Sequence, residues 1–92
     1  MTIGSLVVKL LIRESFSLKD KRRIVKSIKD NIRNDFNAAV AEVDCLDCRQ
    51  EAVLAIVTVG NDSRFVSSVL SNIINRVRSF PVELIDQSQE LL

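Results

Sequence analysis

Two stretches of this chain are apolar on both faces of an extended strand, and neither is long enough to be much else: Ile3 to Ile12 and Glu51 to Val59. In the first, alternation assigns Leu6, Val8, Leu10 and Ile12 to one face, and Ser5, Val7, Lys9, Leu11 and Arg13 to the other. The second, EAVLAIVTV, is nearly continuous, the pattern of a strand with neighbours on both sides. Such strands belong in the middle of a sheet. The remaining elements must supply the sheet's edges and a cover for it.

The cover is readable from helical spacing. Ser17 stands as an N-cap, and Asp20 adds a carboxylate to the first turn. From Leu18 to about Asn34 the apolar residues Ile24, Val25, Ile28 and Ile32 share one side. Asn37 to Asp44 (NAAVAEVD) reads as a second strand, and Cys45 to Gln50 as a polar connection. Gly60-Asn61-Asp62-Ser63 supplies a turn and a cap, with Asn61 and Asp62 read as capping residues. Phe65 or Val66, Val69, Leu70, Ile73, Val77 and Phe80 then trace a second amphipathic helix. Pro81 stops it, and Val82 to Leu92 forms a last strand.

The order β-α-β-β-α-β predicts one α+β domain over residues 1–92. It is ferredoxin-like βαββαβ, a four-stranded antiparallel sheet with two helices on one face. The first and third strands are central, and Pro81 leads into an edge strand. A domain of this size removes roughly two-thirds of the unfolded chain's surface from water. Two helices cover only one face of the sheet. Val7 and Leu11 are therefore left facing water, with either the Val53/Val57/Val59 set or the Leu54/Ile56 set. An apolar patch of that kind marks an interface, so a homodimer or larger homo-oligomer is expected. The alternative is that Lys9, Arg13 and long edge-strand side chains lie over the patch.

Charge is segregated along the chain. Seven of the thirteen basic residues, Lys19, Lys21, Arg22, Arg23, Lys26, Lys29 and Arg33, lie within fifteen positions opposed only by Asp20 and Asp30, a local +5 in a chain whose total is +1. All but Lys21 share an arc of about 120° opposite the apolar side of the first helix. Lys and Arg at helical spacing meet successive phosphates and release counterions, so these seven are the candidate nucleic-acid contacts. A solvated helix face has similar composition, although it usually mixes signs at i, i+4. Lys21 points toward the apolar side, where it can snorkel, pair with a carboxylate or reach a ligand.

Other chemistry is thinly represented. There is no His, which removes the usual neutral-pH base and the commonest metal ligand. With no Trp or Tyr and no aromatic in the third strand, base stacking on the sheet is not expected. Phe16, Phe36, Phe65 and Phe80 all fall at helix ends, where they are expected to pack the core. Cys45-x-x-Cys48 has the spacing of half a zinc site or of a redox pair. Two sulfurs are only half of a four-ligand site, and a hairpin loop lacks the helix N-terminus that activates a redox thiol. Glu42 and Asp44, placed by alternation on one strand face, are a carboxylate pair able to do acid–base or Mg²⁺ work. Solvated cross-strand ion pairs with Lys9 or Arg13 explain the same residues at lower cost.

The stretches SLKDKRRIVKSIKDNIRNDFN, AAVAEVD, VGND and ELIDQSQELL, in that order over nearly the whole chain, resemble the YlxP-like family of small uncharacterised bacterial proteins. The resemblance implies a ferredoxin-like fold, a cytoplasmic location and, from the translation-related genes that often neighbour the family's own, work on RNA or the ribosome. It brings no catalytic residues. Where relatives read like VDHQDLWQRA, this chain has Val43 to Ala52 as VDCLDCRQEA, with Cys45 at the family's His and Arg49 at its Trp.

The expectation is therefore a non-enzymatic, homo-oligomeric binding module without a cofactor, contacting RNA through the first helix. The alternative is a protein-interaction or ligand-sensing homodimer. The amino-terminal run, interrupted by Lys9, lacks the features of a signal peptide, and no stretch approaches the roughly 18 apolar residues of a membrane span.

Overall fold

Strand and helix boundaries fall close to where periodicity changes. In the computed structural model, which describes Met1 to Leu92, β1 is Thr2–Leu11, α1 Leu18–Asp35, β2 Ala38–Asp44, β3 Glu51–Gly60, α2 Ser63–Arg78 and β4 Glu83–Leu91. The sheet order is β2-β3-β1-β4 with every neighbouring pair antiparallel. The two segments apolar on both faces are thus the central strands, and Pro81 precedes an edge strand.

The helices start where small polar side chains can satisfy free amides. Ser17 Oγ accepts from the Asp20 amide at 3.0 Å, and Asp20 reaches back to the Phe16 amide at 3.4 Å. This reciprocal arrangement resembles a capping box. Asp62 caps α2 by accepting from the Arg64 amide at 3.0 Å. Arg76 and Arg78 in the last turn of α2 complement its dipole.

The register decides which face of each strand is buried. Leu6 stands opposite Ile56, Val8 opposite Leu54 and Leu10 opposite Ala52. These six meet Val25, Ile28 and Ile32 of α1 and Leu70, Ile73 and Val77 of α2 in one core. Val66 rather than Phe65 fills the first core position of α2, and Ile74 joins the core as well. α2 lies so close to β1 that a Cβ on Gly4 would stand 2.5 Å from Val66 Cγ1.

Two of the four phenylalanines depart from expectation. Phe36 and Phe80 pack partly against the core, but Phe16 is 81% exposed and Phe65 60% exposed. Phe16 precedes the α1 cap and lies outside the apolar stripe. Phe65 sits in the first turn of α2, one residue away from the inward position.

The face without helices carries Val7, Val53, Ala55, Val57 and Val59, while Leu54 and Ile56 belong to the core. Val57 is 43% and Val59 47% exposed, Val7 is also exposed, and Leu11 is half-buried. Around this apolar strip are Lys9, opposite Asp86, together with Ser88 and Glu90 on β4. A bulge in β2 between Glu42 and Asp44 interrupts the alternation. Glu42 pairs in register with core-facing Leu54, and Asp44 with outward-facing Val53. These two carboxylates consequently do not share a face. The expected ion pairs with Lys9 or Arg13 do not form either, because Arg13 pairs with Glu83 at 2.9 Å.

Candidate functional site

On α1 the outer arc presents Lys19, Arg22, Arg23, Lys26 and Arg33 to solvent, with Lys29 half-buried. Three of these cations have local partners. Arg23 lies 3.2 Å from Asp20 and Lys26 lies 2.7 Å from Asp30. Arg33 donates to Val40 O at 2.6 Å and lies 3.9 Å from Asp30. Lys19, Arg22 and Lys29 have no carboxylate within ion-pair distance. Exposed pairs of this kind contribute little to stability, so a phosphate can displace them at little cost. Hydrogen bonding from Lys26, reinforced by the charges of Lys26, Arg33 and Lys29, holds the Asp30 carboxyl below its usual value. A shallow, wholly polar depression on this face is lined by Arg23, Lys26, Ser27, Asp30, Asn31 and Asn34.

Lys21 does not belong to this surface, which corrects its place among the phosphate contacts. Its side chain is 0% exposed, with Nζ 2.7 Å from Glu42 Oε2. Nζ also donates to Cys45 O at 2.6 Å and to Leu46 O at 3.3 Å. Glu42 Oε2 makes no well-directed hydrogen bond, so its charge is met by the ion pair alone. Of the three options open to a basic residue on the inner side of the first turn, pairing with a carboxylate is the one realised.

The second helix enlarges the basic surface. α2 contributes Arg64, Arg76 and Arg78 and no carboxylate. Arg76 bridges the helices: Nη1 donates to Asn31 Oδ1 at 2.6 Å and to Asp35, and the guanidinium lies 5.3 Å from the Phe36 ring centre. Together α1 and α2 hold ten basic and three acidic residues, a net of +7. The strands and connections hold three basic and nine acidic residues, a net of −6. Reading the first helix alone misses this division. Its sequence signal is the absence of any Asp or Glu between Asp62 and Glu83.

A second cluster forms at the β2–β3 connection. The Cys48 amide donates to Cys45 O at 3.0 Å, closing a tight turn in which Cys45 has φ 57°. The Cys45 amide is held by Asp44 Oδ1 at 2.8 Å, and the Cys45 thiol donates to Glu51 Oε2 at 3.8 Å. A hydrogen bond with Cys48, then partial burial, then the negative charges of Cys48, Asp44 and Glu51 push the Cys45 thiol up to about 11. Glu51, at the start of β3, is the member that the Cys-x-x-Cys spacing does not announce.

The chain matches the profile of the family described as "Protein of unknown function (DUF503)" over residues 3–89. It is 28% identical over 79 residues to the uncharacterised protein YlxP of Bacillus subtilis (strain 168), covering 86% of each chain. Several solved structures share the fold. The structural-genomics protein YJCS superposes with a TM-score of 0.61 at 9% identity, covering 96% of both chains. The de novo designed protein LFR1 1, described as having a ferredoxin fold, gives 0.58 at 15% identity, covering all of this chain and 84% of its own. At such identities these two likenesses speak to architecture alone. The profile match spans nearly the whole chain, so this chain belongs to the YlxP-like family of proteins of unknown function (DUF503).

Proposed function

We propose that this protein is a non-catalytic cytoplasmic module that binds RNA, ribosomal RNA included, through phosphate contacts on its helical layer. The observation that carries the reading is the division of charge between layers, +6 on the helices and −5 elsewhere once the buried Lys21–Glu42 pair is set aside. A polyanion is attracted to one side of the molecule and repelled from the other, which orients it before any contact forms. Lys19, Arg22 and Lys29 have no carboxylate to displace. Arg23, Lys26 and Arg33 exchange weak pairs for phosphate contacts. With four to six phosphates neutralised, log K for single-stranded RNA falls against log salt with a slope of about −3 to −4. The test is fluorescence anisotropy with a labelled RNA across a salt series. The combined Lys19→Glu, Arg22→Glu and Lys29→Glu variant is expected to lose binding. Salt-independent affinity, or an unaffected variant, removes the proposal.

The exposed Val7, Val57 and Val59 favour a second reading, in which the open sheet face joins two copies as a protein-interaction or ligand-sensing homodimer. The two readings use opposite faces of the molecule and are compatible.

A further inference from the structure

The β2–β3 connection gathers the ligand atoms of Cys45, Cys48 and Glu51 within 4.8 Å of one another. We propose that these three residues form a mononuclear site for a thiophilic divalent cation of the Zn²⁺ type, through two thiolates and one carboxylate, with a fourth position left to water.

Three features carry the inference. The first is distance. Zn–S bonds of about 2.3 Å and Zn–O bonds of about 2.1 Å at a tetrahedral angle put sulfur and oxygen ligands ~3.6 Å apart. Cys45 Sγ and Glu51 Oε2 are 3.8 Å apart. The second is preorganisation. The bond from the Cys48 amide to Cys45 O closes the turn, and buried Lys21 grips the carbonyls of Cys45 and Leu46 from below. Both thiols are thereby held on a fixed backbone rather than on a free loop, which lowers the cost of ordering them around an ion. The third is ligand chemistry. Two sulfurs and one carboxylate suit a borderline-soft ion and poorly suit Mg²⁺ or Ca²⁺, which take oxygen donors.

One M²⁺ enters, each thiol gives its proton to solvent, two metal–sulfur bonds and one metal–oxygen bond form, and no electron moves. Two thiolates and a carboxylate around M²⁺ leave the centre at −1.

Co²⁺ titrated into the full chain under a phosphine reductant reads the site directly. Thiolate-to-cobalt charge-transfer absorption and tetrahedral d–d bands are expected at one ion per chain, with Zn²⁺ displacing the signal. Cys48→Ser is expected to lose the two-thiolate spectrum. Glu51→Gln is expected to keep the sulfur bands but weaken binding by about tenfold or more, the lower bound known for disturbing even the outer partners of a metal ligand. Far-UV circular dichroism matching the parent chain shows that each variant folds. Absent bands overturn the proposal, and so does a Glu51→Gln affinity equal to that of the parent. Saturation at one ion per two chains also overturns it, since that result means four thiolates shared between copies. RNA affinity measured on Cys48→Ser keeps this outcome separate from the fate of the basic layer.

Discussion

Lys21 puts its ammonium inside the protein, and three groups distant in sequence meet it there: the Glu42 carboxylate and the carbonyls of Cys45 and Leu46. Removing one partner of such a pair leaves an uncompensated buried charge, a loss of about 3–5 kcal/mol. Lys21→Ala is therefore expected to lower the urea midpoint sharply with an unchanged m-value. Replacing the pair together, Lys21→Met with Glu42→Leu, is expected to cost less than Lys21→Ala alone, because no buried charge remains. The residual loss reflects the two carbonyls left without their donor. A double variant no more stable than Lys21→Ala contradicts this account of the ion pair. Helical spacing shows that Lys21 lies on the inner side of α1. Its partners are set by the approach of β2 and the hairpin, which no local pattern encodes.

Among the elements, α2 depends most on close approach. Gly4 lets Val66 and Leu70 rest on the backbone of β1, and an added methyl would meet Val66 Cγ1 at 2.5 Å and Leu70 Cδ1 at 3.0 Å. Val66 is fully buried and branched at Cβ, so it cannot swing away. Gly4→Ala is expected to destabilise by about 1–3 kcal/mol, the usual range for overpacking, as read by thermal or urea unfolding. A neutral or stabilising result means that α2 shifts freely on the sheet. The boundaries of α1 and α2 are legible because Ser17, Asp62 and Pro81 act within a turn of where they stand. Strand faces are legible in β1, whereas the continuous apolar run of β3 leaves the choice between Leu54/Ile56 and Val53/Val57/Val59 to the register with β1. In β2 the bulge changes parity between Glu42 and Asp44, so counting by two assigns Asp44 to the wrong side. A bulge is a property of a pair of strands, and one strand's sequence does not announce it.

For the whole molecule, two unlike surfaces lie back to back. The helical layer is strongly basic, while the open sheet face is an apolar strip bordered by acidic residues on β4 and Asp44. If two copies join through the sheet, sedimentation equilibrium gives twice the chain mass. Val57→Asp, which places a charge in the middle of the strip, is then expected to give the single-chain mass with an unchanged circular dichroism spectrum. A parent chain monomeric at every concentration ends the dimer reading and leaves the helical proposal standing. No helix is long and apolar enough to cross a membrane.

Read alone, the chain establishes the order of elements, the core faces of β1 and of both helices, and the basic character of α1. Each of these follows from local periodicity, capping chemistry or composition. Tertiary structure alone decided that Leu54 and Ile56 go inward while Val57 and Val59 face solvent, that Lys21 is spent on Glu42, and that Glu51 meets two cysteines. The physical reason is that register, bulges and the docking of a helix on a sheet depend on contacts between distant segments. A local pattern constrains such contacts without choosing among them.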